Sequence, residues 1–543
     1  MSKNGRTVIC AVFNQLRKGL NMTDFWAPPD GIHRKSDVVT VPLGMFKSSE
    51  YRCPAADAMK ARGYRPQQPV RRKKEVLEQF TFGPFMAALD EDGTDRAVAP
   101  AGAGRAAAVH DGLRQWTAHA VDMYHDAFSS HPVEPMTEAP VPWVYRHQLT
   151  APDKRGAREY RITVWGRCLR SADGSLRELR LPVNRLSSAR PVDAHVAAAA
   201  LVLAEGAPGP LPQRVRVVEF ALLDGRVRSL FDGTRAEAVE MYRVHGPEAL
   251  AVLLDSQEYR PGTACGGCLF LSVCPALRKA PGLLGVDTLG RPRRTWSVTN
   301  ARNYRICPAR DHMRRLHLPT EDTLERAPAA ERGRAVHAYL AERHGHGSLR
   351  PCTSDVPDWW VPEAFTLSAE ERRLGGLLLR RHAAVCPLRC VRDRSDVRPE
   401  PRVVRHDTAA DVLVIAAPDL LYRDDESWVW RETKTSMSER RKRGQLLETY
   451  PQLALAVLLV ARGDLGGSPS RARVELEVLR PGGADLEIID PFVPAVRTAA
   501  EKVASALSAD WHGDDRYSAV PGNACARCEV ARWCSVSGET AAV

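Results

Sequence analysis

The sequence predicts an α/β (α+β) protein of two tandem modules, each a mixed central sheet flanked by helices and closed by a four-cysteine metal cluster. Three observations predict it. The pattern Pro-Gly-x-Ala-Cys-x2-Cys-x5-Cys occurs twice, from Pro261 to Cys274 and from Pro521 to Cys534, a spacing that chance rarely repeats. A lone Cys-Pro stands far upstream of each, at Cys53-Pro54 and Cys307-Pro308, with nearly the same separation in both halves. Between these markers, segments of helical period alternate with short runs of strand character.

The remaining pairs follow in order. Tyr51-Arg-Cys53-Pro54 and Tyr304-Arg-Ile-Cys307-Pro308 each open a helix. Ala108-Val-His110 matches Ala335-Val-His337, and Tyr145-Arg-His147 matches Val404-Arg-His406 at the start of a strand. Arg214 to Phe220 and Arg471 to Glu477 each read as a strand leading to a helix, Arg235 to Val244 and Val493 to Leu507. The expected division is an extension at 1–45, a first module at 46–278, a Gly/Pro-rich basic linker at 279–295, a second module at 296–536 and a tail at 537–543.

Composition bounds the function. The chain has 543 residues, 44% hydrophobic and 26% charged, as in globular proteins. No apolar run approaches the roughly 18 residues of a membrane span, and the first residues lack the apolar stretch of a secretion signal. These features predict a cytoplasmic protein without a membrane partner. Lys plus Arg number 77 against 66 Asp plus Glu, a net charge of +11 that favours polyanionic partners. Thirteen cysteines in a reducing compartment point to metal ligands in preference to disulfides.

The stretch from Ala416 to Ser436 carries the chemistry. It predicts a β-hairpin: Asp411 to Tyr422 is mostly apolar, Asp424-Asp425-Glu426 is a polar turn, and Ser427 to Arg431 returns. Residues two apart on a strand share a face, so Glu432 and Lys434 point the same way, and Asp419 on the facing strand brings a second carboxylate. Carboxylate oxygens suit Mg²⁺ or Mn²⁺, which lowers the pKa of bound water and neutralises phosphoryl charge. Asp…Glu-x-Lys alone is a common pattern, so its neighbours decide. From Glu439 a mostly helical segment runs to Ala461, with Pro451 kinking it or starting a second helix, and Leu453 to Val460 reads as buried. In each half, four thiolates suit tetrahedral zinc or an iron–sulfur cluster, and spacing does not separate the two.

The ordered set of a helix after Cys307-Pro308, Gly333-x3-His337, Pro418-Asp419, Glu432-x-Lys434, Gln452 and Cys525-x2-Cys528-x5-Cys534 resembles the PD-(D/E)XK nuclease superfamily. Within it, the set resembles the RecB-like branch of the CRISPR-associated exonucleases and the AddB nuclease domain, over about residues 296 to 536. The resemblance implies a restriction-endonuclease-like fold and a Mg²⁺- or Mn²⁺-dependent DNase, an exonuclease on single strands or DNA ends, in repair, recombination or defence against mobile elements. It implies that His337, Asp419, Glu432 and the carbonyl of Thr433 hold the cation, that Lys434 assists the attacking water, and that Gln452 orients the site. Cys307, Cys525, Cys528 and Cys534 would carry a [4Fe–4S] cluster, and Cys53, Cys265, Cys268 and Cys274 a second. The chain departs from the family at Ala456, where a tyrosine is common; Tyr450 lies nearby.

Arg440-Arg441-Lys442-Arg443 follows the hairpin and reads as a solvated helix face or, beside a phosphodiester-cleaving site, as a DNA-phosphate contact. Arg71 to Lys74 extends that path. The first module lacks the chemistry: aligning Ile162 to Arg167 on the hairpin sets Arg167 near Asp419, and Arg177-Glu178-Leu179-Arg180 keeps one carboxylate but puts Arg180 in place of the lysine, with His195 in place of Gln452, a site that should repel a divalent cation. It therefore reads as a catalytically dead copy, with His110 a relic. DNA is the expected partner, with repair or defence proteins as candidate further partners. The rival reading is a non-catalytic iron–sulfur scaffold subunit that binds nucleic acid.

Overall fold

The computed structural model describes residues 28–47, 51–68, 73–92, 107–129, 136–188, 192–287, 290–321, 324, 327–346, 349–389, 391–438 and 445–536. They form two compact units, the first comprising residues up to 72, 76–276 and 316–319, the second 73–75, 277–315 and the residues from 320 onward. Both are mixed α/β folds. Among the described residues no helix is long and apolar enough to cross a membrane.

The second unit is built on a five-stranded sheet in the order Val397–Pro399, Leu420–Asp424, Ser427–Thr435, Arg473–Arg480, Gly483–Ile489. All neighbours are antiparallel except Ser427–Thr435 and Arg473–Arg480, which run parallel. A parallel pair needs a crossover, and the chain supplies two helices, Leu446–Thr449 and Pro451–Ala461. Pro451 sits at the first turn of the second, where its missing N–H costs nothing. Every residue from Leu453 to Val460 is buried, as a helix that is apolar all round requires.

The expected hairpin forms, with Leu420 opposite Arg431 and Asp424 opposite Ser427. Its outward half differs from the expectation: the apolar run from 411 to 422 is two strands in two sheets. Val412–Ala416 belongs to a four-stranded sheet with Arg278–Lys279, Val403–Asp407 and Arg294–Trp296. Pro418 cannot donate to a ladder and confines strand pairing on either side of it. The chain crosses between sheets there, which leaves Asp419 at the mouth of the hairpin.

The stretch expected as a linker at 279–295 is integral to the second unit. Arg278–Lys279 and Arg294–Trp296 are edge strands of the four-stranded sheet, and Leu283 and Leu284 are buried. The buried carboxylate of Asp407 accepts the N–H groups of Gly282 and Leu284, both at 2.8 Å, and those of Ala409 and Ala410.

The first unit repeats this connectivity. Its five-stranded sheet runs Met136–Glu138, Arg167–Ser171, Leu176–Val183, Arg214–Ala221, Val227–Thr234, again with only the third and fourth strands parallel. The buried helix Asp193–Glu205 makes the crossover. A second sheet of Val38–Pro42, Glu159–Thr163 and Val144–Gln148 repeats the pairing of Arg294–Trp296, Val412–Ala416 and Val403–Asp407. Residues 28–46 thus belong to this unit: Ile32–Arg34 pairs with Tyr64–Pro66, and Val38–Pro42 pairs with Glu159–Thr163. The expected extension at 1–45 is corrected over that stretch, because alternating burial along Val38–Pro42 gives it a core face to pair through.

Candidate active site

Alternation along Ser427–Thr435 aims Trp430, Glu432 and Lys434 to one side of the sheet and Arg431 and Thr433 to the other. Asp419 reaches the same place from the start of the facing strand. Its Oδ2 accepts the Thr433 N–H at 2.6 Å and lies 3.3 Å from Lys434 Nζ. Lys434 Nζ also donates to Glu432 Oε2 at 3.2 Å and to the Thr433 carbonyl at 2.9 Å. Trp430 Nε1–H fixes the other oxygen, Glu432 Oε1, at 3.0 Å. His337 comes from the helix Pro328–His346, with its Nδ1 2.9 Å from Asp419 Oδ1.

The electrostatics of the two carboxylates diverge. Burial and the neighbouring Asp419 charge raise the Glu432 carboxyl above its ordinary value, against the pull of Lys434 and Trp430. Burial acts the same way on Asp419, but the hydrogen bond and charge of His337, the charge of Lys434 and the Thr433 N–H outweigh it and hold Asp419 below the usual value. Burial would lower Lys434, yet the two carboxylates more than compensate and raise it. A bound divalent ion inverts this balance.

The residues fit a hard cation. Three oxygens of the type Mg²⁺ and Mn²⁺ prefer, Asp419 Oδ2, Glu432 Oε2 and Thr433 O, converge on one positive centre, the Lys434 ammonium. Gln452 lies in the first turn of the helix Pro451–Ala461, which packs on the return strand. It makes no hydrogen bond to this group, and its buried Oε1 has no partner among the described residues. Ala456, the departure from the family, is fully buried inside that helix, and Tyr450 caps it. Arg440, Arg441, Lys442 and Arg443 lie outside the described residues, as do Arg71 and Arg72.

Of the other carboxylates on the preceding segment, Asp407 is the anchor already described. Asp411 pairs with His406 at 2.8 Å and Arg293 at 2.7 Å. Glu400 is different: its N–H donates to the Asp419 carbonyl at 3.1 Å, and burial and the Asp419 charge raise its carboxyl while His337 lowers it. It stands at the rim of the site; the sequence offers Glu400, Asp407 and Asp411 only as further carboxylates ahead of the hairpin, at the surface or behind the ligands.

In each unit the lone cysteine lies beside the segment that leads to the other three. Cys307, the cap of the helix Val298–Ile306, accepts the N–H of Val520 at 3.4 Å, just before the short turns Asn523–Arg527 and Ala531–Trp533 that carry Cys525, Cys528 and Cys534. Cys528 is raised by burial first, with Glu529 and Cys307 adding to it. In the first unit Cys53 accepts the Arg260 N–H and Cys265 the Gly262 N–H, both at 3.4 Å. Burial pushes Cys268 up to about 11, with Cys265, Cys53 and Cys274 contributing. Neither quartet, among the described residues, closes to within 4.8 Å.

Strand register corrects the reading of the first module. Thr163 and Ala416 occupy equivalent ends of matched strands, and Arg167–Arg180 is the pair equivalent to Leu420–Arg431. The positions of Asp419, Glu432 and Lys434 are therefore held by Gly166, Leu181 and Val183, not by Arg167, Glu178 and Arg180. Glu178 instead pairs with Arg180 at 2.5 Å and with Arg216. His110 lies just before the helix Asp111–Ser129, whereas His337 is inside its helix, so the two are not equivalent. His195 lies in the crossover helix Asp193–Glu205.

Residues 295–535 match the family model of the PD-(D/E)XK nuclease superfamily. No curated protein matches the chain. Among solved structures, one titled "Crystal structure of SSO0001" is 13% identical, covers 46% of this chain and 88% of its own, and superposes with a TM-score of 0.25, a likeness that carries no argument.

Proposed function

We propose that the PD-(D/E)XK nuclease domain at 295–535 is a divalent-metal-dependent DNase of the RecB-like branch, acting on single strands or DNA ends and leaving a 5′-phosphate and a 3′-hydroxyl. The convergence of Asp419 Oδ2, Glu432 Oε2 and Thr433 O on one cationic centre carries this reading. His337 orients Asp419 and offers a further ligand nitrogen. A bound Mg²⁺ or Mn²⁺ supplies a water of lowered pKa and neutralises the phosphate. With a cation held by those carboxylates, Lys434 would be free to orient the attacking water and stabilise the charge that builds on the phosphoryl oxygens. Trp430 holds Glu432 so that one oxygen stays directed into the site. Gln452, with an unsatisfied oxygen, positions groups at the edge of the same face, and Arg440 to Arg443 hold the DNA backbone.

The cysteine quartets are each proposed to hold a [4Fe–4S] cluster. Tetrahedral zinc with bonds of about 2.3 Å to sulfur places its sulfurs only about 3.8 Å apart, closer than either quartet comes; an iron–sulfur cube spreads them further. The first unit is proposed to be a degenerate copy of the second: the connectivity repeats, and the metal-binding positions hold glycine, leucine and valine. The biological setting proposed is DNA repair, recombination or defence, in the cytoplasm.

The test is degradation of end-labelled single- and double-stranded DNA by anaerobically purified protein. Activity with Mg²⁺ or Mn²⁺ that a chelator abolishes, and that Lys434→Ala loses, supports the reading. Salt-sensitive DNA binding with no metal-dependent degradation favours a scaffold role. A brown preparation with broad visible absorption identifies iron–sulfur.

A further inference from the structure

A second group of ligand-type side chains lies inside the nuclease domain, apart from both the carboxylate site and the repeated cysteines. His344, Cys352, His382 and Cys386 each direct one ligand atom inward, and all four atoms lie within 4.8 Å of one another. His344, His382 and Cys386 are at most 4% exposed and Cys352 is half-buried. His344 Nε2 is 3.5 Å from Cys352 Sγ and 3.8 Å from Cys386 Sγ. Bonds of about 2.3 Å to sulfur and 2.0–2.1 Å to nitrogen at tetrahedral angles give an N···S edge of about 3.6 Å. Both separations are those of ligands sharing one metal.

A pair of thiol–imidazole hydrogen bonds would give similar distances for His344. His382 separates the two accounts. Its Nδ1 is 2.6 Å from Oε1 of the wholly buried Glu477, which keeps a proton on Nδ1 and turns Nε2 to the cysteine side. That Nε2 is buried and faces the Cys386 thiol. A carboxylate behind one ring nitrogen, with the other directed at the remaining ligands, is how proteins present histidine to a metal.

We propose that His344, Cys352, His382 and Cys386 bind one zinc ion as a structural site. Two sulfurs and two imidazoles in a tetrahedron select zinc over harder divalent ions. The site ties two helices at the same place: His344 is in the last turn of Pro328–His346 and His382 ends Ala369–His382, while each cysteine lies in the segment that follows its helix. Glu477 belongs to the central sheet and also accepts the Thr433 hydroxyl at 3.1 Å. Thr433 gives its N–H to Asp419 and its carbonyl to Lys434. His337 lies two turns before His344, about 10 Å along the same helix. The zinc thus fixes the helix that carries His337 and the strand that carries Glu432 and Lys434.

Metal analysis, native mass spectrometry and zinc-edge X-ray absorption of the full chain test this, with readouts that do not depend on cleavage. One zinc per chain with two sulfur and two nitrogen neighbours is expected, lost in the Cys352→Ser/Cys386→Ser variant. Glu477→Gln keeps the four ligands and should bind zinc about 10- to 100-fold more weakly in competition with a chelator. Should the cysteine variant fail to fold, cobalt replacing zinc in the wild-type chain answers instead, by the ligand-field absorption of a tetrahedral sulfur–nitrogen site. The proposal is overturned by a Cys352–Cys386 disulfide in freshly purified chain, by a chain that binds neither zinc nor cobalt, or by zinc held only by sulfur and retained in the cysteine variant.

Discussion

Glu432 is the residue at which function and stability oppose each other. Its carboxyl is raised by burial and by Asp419, so in the absence of a cation its ionisation at neutral pH works against the fold. Glu432→Gln should therefore unfold at a higher temperature than wild type at pH 7 in chelator, with the difference fading as pH falls and the wild-type carboxyl is protonated; differential scanning calorimetry reads both. His195 predicts the opposite pH sense. It is 1% exposed, its Nδ1 has no partner among the described residues, and burial, with Lys47, lowers it to about 4. The unfolded chain takes up a proton near pH 6.5 that the folded chain refuses, so stability present above that pH is lost as pH falls towards 4, by roughly 2–3 kcal/mol. His195→Gln should remove this loss in urea unfolding at pH 7 and pH 4.5. The meeting of Asp419, Glu432 and Lys434 was legible because Glu-x-Lys on one strand and Asp on its partner come together by strand geometry alone. The zinc group was not: its members come from segments that only the tertiary fold brings together.

At the scale of elements, Asp407 holds the loop that joins the two edge strands, Arg278–Lys279 and Arg294–Trp296, of the four-stranded sheet. It accepts N–H groups from Gly282, Leu284, Ala409 and Ala410. Asp407→Ala leaves these donors unpaired, Leu284 among them fully buried. The expected cost is about 3 kcal/mol, read as a lowered urea midpoint. Sequence reading took this region for a linker because glycine and proline dominate it, and it joined 411–422 into one strand because the residues on both sides of Pro418 are apolar. In both places backbone pairing and a buried carboxylate, which composition does not reveal, decide the structure. The slip in the first module has a similar origin. Its hairpin turn spans four residues, Ala172 to Ser175, where the second has Asp425-Glu426, so motif matching chose Glu178 and Arg180 over Leu181 and Val183.

For the whole molecule, repeated connectivity with unequal chemistry predicts unequal metal binding. Calorimetric titration should find a single Mn²⁺ site of the hard-cation type per chain, abolished by Asp419→Ala; two equivalent sites would contradict the assignment of Gly166, Leu181 and Val183. The repeated Cys-x2-Cys-x5-Cys pattern made two similar parts visible in the sequence, whereas which residues of the first stand at the mouth of its hairpin required strand register. The central claim is that the hairpin of the second unit cuts DNA. Rates of end-labelled DNA degradation, compared in Mn²⁺ for wild type and Glu432→Ala of matched folded content, test it most directly. The account predicts degradation by wild type and a fall of about 100-fold or more in the variant; undiminished degradation by Glu432→Ala would contradict it.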